Sequence, residues 1–327
     1  MSRILLVRSD GIGDALVLAP LVAALRDAGH ELGAVLSTRN AEAFAPAAFR
    51  ARHVVERVPW PLHGSTPESY AAALAGARER AYEIALIPSE EPESYRFARE
   101  AGARVRVGFT NAWEKPLKSL WTRRLLTRAL VRPASAGRER RNEVETLFEL
   151  GAGLHGEARP TRDPARLRPL LLDDPVAAGD RIVVQLSPKY ARCGFSAERQ
   201  GGVFAYLARF GPVSALGDPA DPEGARAIAA AAGMRLEPTP SLRDWKAAIA
   251  GARALIAPDT GAAHVAGMTG VPAFVLFEAD GREASNLRRW RPWCSDPCVT
   301  AACTPDVLES LEERLRAWVA TLDAVRL

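Results

Sequence analysis

Short apolar runs alternate with helix-like patterns along the whole chain, and this alternation restricts the fold more than any other feature. Each run is too short for an ordinary buried helix and is bounded by turn-forming residues. The pattern is typical of βα units that build parallel sheets. The sequence therefore predicts an α/β fold, with strands at residues 3–8, 32–37, 83–88, 104–109, 182–187, 212–217, 254–258 and 273–277.

A segment rich in Gly, Pro, Arg and Asp separates two groups of four predicted strands. It covers residues 151–179 and contains four prolines, which prevent a long helix. The length of 327 residues also exceeds one ordinary domain of about 150 residues. We therefore predict an N-terminal domain at residues 1–158 and a C-terminal domain at 159–327. The amphipathic stretch 305–322 predicts a final helix, for which packing back on the N-terminal domain is one arrangement.

Composition and charge exclude several classes of protein. Hydrophobic residues make up 48% and charged residues 25% of the chain, as in globular proteins. Basic residues exceed acidic ones only by 43 to 39, a balance that does not favour nucleic-acid binding. No apolar run reaches the length of about 18 residues that a membrane span needs, and residues 1–8 lack a signal-peptide core. We therefore expect a cytoplasmic protein.

The first predicted strand leads into a glycine-containing loop at its carboxyl end, where open α/β sheets bind ligands. The loop reads Ser-Asp-Gly-Ile-Gly-Asp over residues 9–14, and a helix is predicted at residues 15–28. The third glycine of the G-x-G-x-x-G dinucleotide fingerprint is missing, and no Gly-Lys-Ser/Thr of a P-loop follows. What remains is the carboxylate of Asp14, which either faces a ligand or merely caps the helix.

A second loop of the same kind follows the strand predicted at residues 254–258. It reads Asp-Thr-Gly-Ala-Ala-His and opens a helix. Asp259 and Thr260 can cap this helix, which leaves the N–H groups of Thr260, Gly261 and Ala262 for a phosphate. His264, one turn inside, either donates to the same anion or is a packed residue. The spacing predicts a diphosphate site.

Together the two loops resemble glycosyltransferase family 9, the ADP-heptose lipopolysaccharide heptosyltransferases. That family opens with a strand and Ser-x-x-x-Gly-Asp, then a helix with a proline about six residues on. Its C-terminal domain carries Asp-Thr-Gly-x-x-His and then Gly-Val-Pro. The likeness extends over essentially the whole chain. The matching residues here are Ser9, Gly13, Asp14, Pro20, Asp259, Thr260, Gly261, His264 and Gly270-Val271-Pro272.

The resemblance implies a GT-B fold, in which two Rossmann-like domains with parallel sheets face a central cleft. It also implies an inverting transfer of a sugar, such as heptose from ADP-heptose, to a lipopolysaccharide-core or related glycolipid, without a metal or other cofactor. The N-terminal domain would bind the acceptor and the C-terminal domain the nucleotide sugar. Asp14 matches the family's catalytic base, Ser9 and Gly13 lie in the acceptor loop, and the helix beginning near Thr260 would stabilise the leaving diphosphate.

The sequence departs from the family pattern at two places in the second domain. Family members carry a phosphate-gripping lysine closely followed by Trp-Pro after the first strand of this domain, and here either Lys189 or Arg192 takes its place. Glu278 begins Glu-Ala-Asp where the family has Gly-Pro-Thr, so it reads sugar hydroxyls, or signals a changed donor or weakened activity. Asp218 either holds the nucleotide ribose or belongs to an ordinary turn.

Residues 99–141 contain twelve lysines or arginines against three glutamates, with tryptophans and leucines between them. This composition predicts a basic amphipathic face for a phosphorylated glycolipid, in peripheral contact with the inner membrane. Arg123, Arg124 and Arg128 are its candidate acceptor-binding residues. The alternative is a solvated arginine-rich face.

Two other functions stay open at this point. An NAD(P)-dependent oxidoreductase would also have two α/β halves, but the first loop lacks the third glycine. A degenerate, non-catalytic nucleotide-sugar-binding protein would account for Glu278 and the displaced lysine. Cys294, Cys298 and Cys303 lack the paired spacing of a zinc site, so no metal is expected, and Cys193 has no neighbouring histidine to activate it.

Overall fold

The computed structural model describes residues 1–58, 64–133, 141–219, 221–294 and 298–324. Its strands are β1 (Arg3–Val7), β2 (Glu31–Ser37), β3 (Ala51–Val55), β4 (Ile84–Ile87), β5 (Val105–Thr110), β6 (Arg128–Val131), β7 (Ile182–Gln185), β8 (Val213–Leu216), β9 (Arg235–Glu237), β10 (Ala254–Pro258), β11 (Ala273–Phe277) and β12 (Cys298–Ala302). Its helices are α1 (Ile12–Leu16), α2 (Ala19–Asp27), α3 (Pro67–Arg80), α4 (Pro92–Glu100), α5 (Pro116–Leu125), α6 (Glu143–Phe148), α7 (Pro164–Leu171), α8 (Lys189–Arg192), α9 (Ala197–Tyr206), α10 (Pro222–Ala231), α11 (Leu242–Ala250), α12 (Gly261–Thr269), α13 (Glu283–Trp290), α14 (Pro305–Glu309) and α15 (Leu311–Ala324). Among the described residues, no helix has both the length and the apolar composition to cross a bilayer.

The chain divides into two compact units. One comprises Met1–Thr161 with Pro169–Asp173, and the other comprises Arg162–Arg168 with Asp174–Leu327. The chain first passes between them after Thr161, and the boundary predicted from the sequence lies after residue 158.

Each unit contains one six-stranded parallel sheet, and the two sheets have the same topology. The first runs in the order β3-β2-β1-β4-β5-β6, and the second in the order β9-β8-β7-β10-β11-β12. This is the doubly wound order of Rossmann-like domains. The direction of winding reverses between β1 and β4 and between β7 and β10, and ligands bind beyond the carboxyl ends of the strands at these switch points.

The eight predicted strands are present, with small shifts at their ends, but four strands were not predicted. They are β3, β6, β9 and β12, which form the four edges of the two sheets. Each of them is only partly buried and mixes polar with apolar residues, as in the Ala-Arg-His-Val-Val of β3. A search for continuous apolar runs finds central strands, because only these are covered on both faces.

The single helix predicted at residues 15–28 is wrong in detail, since the structure has two helices there. α1 already begins at Ile12 and so contains Gly13 and Asp14, and α2 begins two residues beyond Val17. Pro20 has no N–H for the carbonyl of Leu16, so the first helix ends and a new one starts with this proline in its first turn.

The final predicted helix is also divided, into α14 and α15, and its apolar residues pack within the second unit. Its buried residues join the core of the second sheet. The ring of Trp318 lies 5.6 Å from that of Phe274 on β11. Packing within its own unit therefore accounts for the apolar stripe. The residues of this stripe are Leu308, Leu311, Leu315, Trp318, Val319 and Leu322.

Gly33 on β2 provides a test of packing in the first unit. A Cβ atom at this position would lie 1.9 Å from the Tyr82 hydroxyl oxygen, and Tyr82 is held by a 3.0 Å hydrogen bond with His53. We expect Gly33→Ala to lower the free energy of unfolding by about 1–3 kcal/mol. Gly202→Ala in α9, where nothing lies within 4 Å, should raise it by roughly 0.5–1 kcal/mol. Chemical unfolding of both variants checks this, and equal effects would contradict the packing.

Candidate active site

Arg8 occupies the switch point of the first sheet. It follows β1 directly and is almost fully buried, with 4% of its surface exposed. Its Nη1 atom donates to the carbonyl oxygen of Pro88, 2.7 Å away, in the loop after β4. One side chain therefore joins the two loops between which an open α/β sheet binds its ligand.

Two carboxylates share this guanidinium. Nε of Arg8 lies 2.7 Å from Oδ1 of Asp10, and Nη2 donates to Oδ1 of Asp14 over 2.8 Å. The side chain of Asp14 keeps 35% of its surface exposed, against 24% for Asp10. Asp14 is therefore held in one orientation while it stays accessible to a ligand.

The helix-cap alternative for Asp14 is not what the structure shows. The N-cap residue of α1 is Gly11, which has no side chain, and Asp14 lies further on in the first turn. A Cβ atom at Gly11 would lie 2.7 Å from Oδ2 of Asp14. The glycine thus makes room for the carboxylate, and the carboxylate pairs with Arg8.

Asn40, which the sequence analysis did not single out, fixes the backbone of this loop. It is completely buried, and its Nδ2 donates to the carbonyl oxygens of Arg8 and Asp10 over 3.1 and 3.2 Å. Its Oδ1 accepts from the backbone N–H of Ser37 over 2.8 Å. In the sequence Asn40 is only a polar residue just beyond the carboxyl end of β2, and this position does not indicate its distant partners.

The crowding of charges around Arg8 changes proton affinities. Burial raises the pKa of Asp10 to about 6; the guanidinium of Arg8 opposes this rise, and the charges of Asp14 and Glu91 add to it. Burial also acts to lower the pKa of Arg8, but the carboxylates of Asp10, Asp14 and Glu143 outweigh it, so that the pKa of Arg8 is raised. Arg8 therefore remains a permanent cation beside Asp14.

A second polar cluster lies beyond β4, β5 and β6 at the same edge of the sheet. Glu90 accepts from Nζ of Lys118 over 3.0 Å and from Nδ2 of Asn111 over 3.3 Å, and lies 3.4 Å from Nε of Arg132. Burial acts to raise the pKa of Glu90, but these three partners outweigh it and lower that pKa. Arg132 in turn pairs over 2.5 Å with Glu143, which is 1% exposed. The sequence analysis identified none of these pairs.

The structure separates the candidate acceptor residues. Ser9 is buried directly after Arg8, and Gly13 lies within α1 beside Asp14. Arg123 and Arg124 lie in the last turn of α5, which leads away from the carboxyl edge of the sheet. Arg128 begins β6, and its Nη1 donates to the carbonyl oxygen of Ala152 over 3.3 Å. In the basic segment, residues 134–140, including Arg138 and Arg140, lie outside the described residues.

In the second unit, Lys189 takes the place that Arg8 has in the first. It follows β7 as the first residue of α8, and its Nζ donates to the carbonyl oxygen of Asp259 in the loop after β10. Lys189 thus bridges the switch point of the second sheet and lies beside the start of α12. Arg192 instead forms an ion pair with Glu278, with Nη2 2.9 Å from Oε1.

The N-terminus of α12 presents backbone donors. Thr260 is the N-cap residue, but its hydroxyl donates to the carbonyl of Pro258 over 3.2 Å and accepts nothing from the helix, which corrects the capping role expected for it. No described residue accepts a hydrogen bond from the N–H groups of Thr260, Gly261 or Ala262. Such donors, aligned with the helix dipole, suit an anion.

His264 lies one turn further along α12 and is 4% exposed. Its ring packs edge-on against Trp290 of α13, with the ring centroids 6.2 Å apart. This burial favours the packed alternative considered from the sequence.

Asp218 adjoins a small cavity of about 180 Å³ at the ends of β7 and β8. Its Oδ2 accepts a 3.2 Å hydrogen bond from the hydroxyl of Ser187. Pro188, Ala191 and Ile228 supply apolar parts of the lining. A carboxylate in the lining of a mostly apolar cavity suits a ligand with both an apolar surface and hydroxyl groups.

Cys193 and Cys303 meet in the core of the second unit. They form a hydrogen bond that lowers the pKa of the Cys193 thiol and raises that of Cys303. Among the described residues, no group of three or more His, Cys, Asp or Glu side chains is placed to hold a metal ion. The absence of a metal cofactor stays a prediction.

Comparison with solved structures finds the same fold over nearly the full length. The E. coli heptosyltransferase WaaC with ADP is 20% identical, with a TM-score of 0.76, and the match covers 98% of this chain and 99% of that one. The glycosyltransferase family 9 structure from Veillonella parvula is 17% identical with a TM-score of 0.74, covering 98% and 97%. The E. coli ADP-heptose LPS heptosyltransferase II is 15% identical with a TM-score of 0.70, covering 99% and 100%.

At this level of identity the comparison is evidence for the fold. The predicted GT-B fold, with two Rossmann-like domains that each contain a parallel sheet, is confirmed, and so is the resemblance to the family in architecture. Comparison of the sequence with family models and with curated proteins finds no match.

The raised pKa of Asp10 predicts a pH-dependent stability. In the folded protein this carboxyl keeps its proton up to about pH 6, whereas in the unfolded chain it ionises near pH 4. The free energy of unfolding should therefore fall as pH rises through this window, by about 1–3 kcal/mol relative to Asp10→Asn. Urea unfolding of both proteins at acidic and neutral pH measures the difference. A difference that stays constant or grows with pH would disprove the shift.

Proposed function

We propose that this chain is an inverting glycosyltransferase, which moves a sugar from a nucleoside diphosphate to a hydroxyl group of a glycolipid. The observation that carries the proposal is the unequal chemistry of two equivalent switch points. The first presents an accessible carboxylate, Asp14, and the second presents a cation, Lys189, beside the donor groups of α12. Sugar transfer by displacement needs one of each.

In this mechanism Asp14 acts as the general base. It removes the proton from the acceptor hydroxyl as that oxygen attacks the anomeric carbon, while the bond from this carbon to the diphosphate breaks and the configuration inverts. Arg8 contacts neither reactant and is a positioning residue. Its buried guanidinium holds one oxygen of Asp14 and leaves the other, next to Gly11, for the substrate.

The departing diphosphate gains one negative charge as its bond to the anomeric carbon breaks, and the second unit supplies groups that stabilise this charge. The N–H groups of Thr260, Gly261 and Ala262 are directed out of the N-terminus of α12, where the helix dipole is positive. Lys189 adds a full charge beside them. All of these groups belong to the chain, so the proposed mechanism assigns no role to a metal ion.

Between the two candidate cations, the contacts favour Lys189 for the diphosphate. Its ammonium group already lies against the backbone that leads into α12. The charge of Arg192 is balanced by Glu278, so that this pair is closer to neutral at the end of β11. When paired with Arg192, Glu278 is suited to accept hydrogen bonds from sugar hydroxyls. The Glu-Ala-Asp sequence, which stands where the family has Gly-Pro-Thr, is therefore compatible with activity.

For the donor we propose ADP-heptose, and for the acceptor a lipopolysaccharide-core or related glycolipid at the cytoplasmic face of the inner membrane. The two sequence motifs support this choice, as do the solved structures of E. coli WaaC with ADP and with ADP-2-deoxy-2-fluoro heptose. Asp218 would bind the ribose hydroxyls at the cavity beside Ser187. His264 would not contact the ligand; it would hold α12, whose N–H groups bind the diphosphate, against α13.

The proposed base gives the most direct test. Asp14→Asn keeps the size of the side chain, so turnover with ADP-heptose and a lipid acceptor should fall by about a hundred- to ten-thousand-fold, since the proton acceptor is lost. ADP affinity should hardly change, because the donor is bound by the second unit. Asp306→Asn, the same exchange in the first turn of α14, is the matched control and should retain activity. Near-native turnover of the Asp14 variant would rule out the proposed base.

The proposed phosphate grip predicts an order among donor-site variants. Lys189→Met should weaken ADP binding by roughly 10- to 100-fold, as expected for the loss of a charged hydrogen bond, and Arg192→Met should weaken it less. Calorimetric titration with ADP measures both, and titration with UDP, GDP and NAD tests the nucleotide. A larger loss of ADP affinity in the Arg192 variant would identify Arg192 as the residue that binds the diphosphate. Tight NAD binding would favour the oxidoreductase instead.

A further inference from the structure

We propose that the outer face of α5, together with the turn before it, docks on an anionic lipid bilayer. This α5 surface consists of the apolar residues Trp113, Leu117 and Leu120 and the cations Lys115, Arg123 and Arg124. The inference deepens the proposed function and rests on it in one respect: a membrane-borne acceptor is what the surface would bring to Asp14.

The apolar residues of this surface are unusually exposed. Trp113 has 92% of its surface accessible, Leu117 83% and Leu120 56%. Single exposed leucines are ordinary, but a tryptophan and two leucines grouped on one face mark an interaction site. Leu117 and Leu120 are three residues apart on α5, so they lie on the same side of the helix, and Trp113 precedes its first turn.

The opposite face of α5 accounts for its folding. Leu125 and Leu126 are buried, and Trp121 packs edge-on against Tyr95, with ring centroids 6.3 Å apart. The apolar residues that the sequence showed interleaved with charges therefore separate into two faces. Only the inner face serves the core, which leaves the outer leucines and Trp113 without a role in packing the unit.

Positive charges flank the exposed apolar residues. Between residues 112 and 125 the sequence has four cations and one carboxylate, Glu114. Lys115, Arg123 and Arg124 are exposed, and Lys118 is engaged with Glu90. Long basic side chains beside apolar ones can lie at the level of anionic headgroups while the apolar residues enter the acyl region.

A shallow cavity of about 270 Å³ lies within this surface. Its lining includes the apolar residues Ala112, Trp113, Pro116 and Leu120 and the cation Arg123. The cavity thus combines apolar residues with a cation, as the whole surface does. This is the arrangement that complements a lipid with an anionic head.

Charge also decides between a bilayer and a second copy of the chain. In a two-fold symmetric dimer this surface would face itself and bring its cations together, which is repulsive. An anionic bilayer satisfies the cations and the apolar residues at once. We therefore commit to the bilayer and treat dimerisation as an outcome that would overturn the proposal.

The surface begins at the sheet edge that carries the candidate site. The turn at Ala112 follows β5 through Asn111, and both Asn111 and Lys118 bond to Glu90, in the loop after β4 that also holds Pro88. Pro88 is the partner of Arg8, which orients Asp14. A bilayer bound at α5 would accordingly present its headgroups at the edge where the base lies.

Vesicle co-sedimentation of the full chain tests the proposal without donor or acceptor, so failure here is separate from failure of the proposed function. The native chain should bind vesicles of phosphatidylcholine with about one third phosphatidylglycerol more tightly than vesicles of phosphatidylcholine alone. The triple variant Trp113→Ser, Leu117→Ser, Leu120→Ser should bind the anionic vesicles roughly tenfold more weakly or worse. These three residues are exposed, so the variant should keep the native circular dichroism and unfolding midpoint.

Charge variants complete the test. Arg123→Gln with Arg124→Gln should reduce binding to anionic vesicles only, and added salt should reproduce that loss in the native chain. The matched controls are Val54→Ser for an exposed apolar residue and Arg282→Gln with Arg316→Gln for the charges, and all of them should bind as the native chain does. Equal binding by the native chain and the triple variant would overturn the proposal. So would a native dimer that the triple variant converts to a monomer without any vesicle binding by either.

Discussion

Each unit depends on one contact in which a cation that follows its first strand donates to a carbonyl that follows its fourth. In the first unit Arg8 reaches Pro88, and in the second Lys189 reaches Asp259. Because the sheet reverses its winding between these strands, the loops diverge there and leave a crevice. The bridging cation joins these two loops and so helps to set the positions of the groups that they carry.

The two switch points have the same topology but opposite electrostatics. Around Arg8, the carboxylates of Asp10 and Asp14 balance the positive charge, and the carboxylate of Asp14 stays partly accessible. Among the described residues, the ammonium group of Lys189 donates only to the neutral carbonyl of Asp259, and the N–H donors of α12 lie beside it. One crevice is thereby suited to taking a proton and the other to receiving an anion. A shared fold alone would not distinguish these roles, since the side chains at the rim decide them.

Central strands could be predicted from the sequence because burial on both faces requires uninterrupted apolar residues. The edge strands could not, since one flank lacks a neighbouring strand and mixed sequences such as Arg-Ala-Leu-Val in β6 suffice. The predicted helix boundaries were wrong at Pro20, because a proline has no N–H for the preceding turn, so one helix ends before it and the next begins with it in the first turn. In the segment that contains α5, composition predicted a basic amphipathic face but not which apolar residues point inward, because that depends on packing against Tyr95 of α4.

The sequence alone was enough to locate both loops and to identify Asp14, Lys189 and the start of α12 as candidates, because these depend on residues that are adjacent in the chain. The partners of those residues were decided only in the tertiary structure. Arg8 and Pro88 are 80 residues apart, Lys189 and Asp259 are 70 apart, and Arg192 and Glu278 are 86 apart. No local pattern encodes such pairs, since strand order in the sheet brings them together. The raised pKa of Asp10 follows in the same way, because burial and neighbouring charges exist only once the sheet has formed.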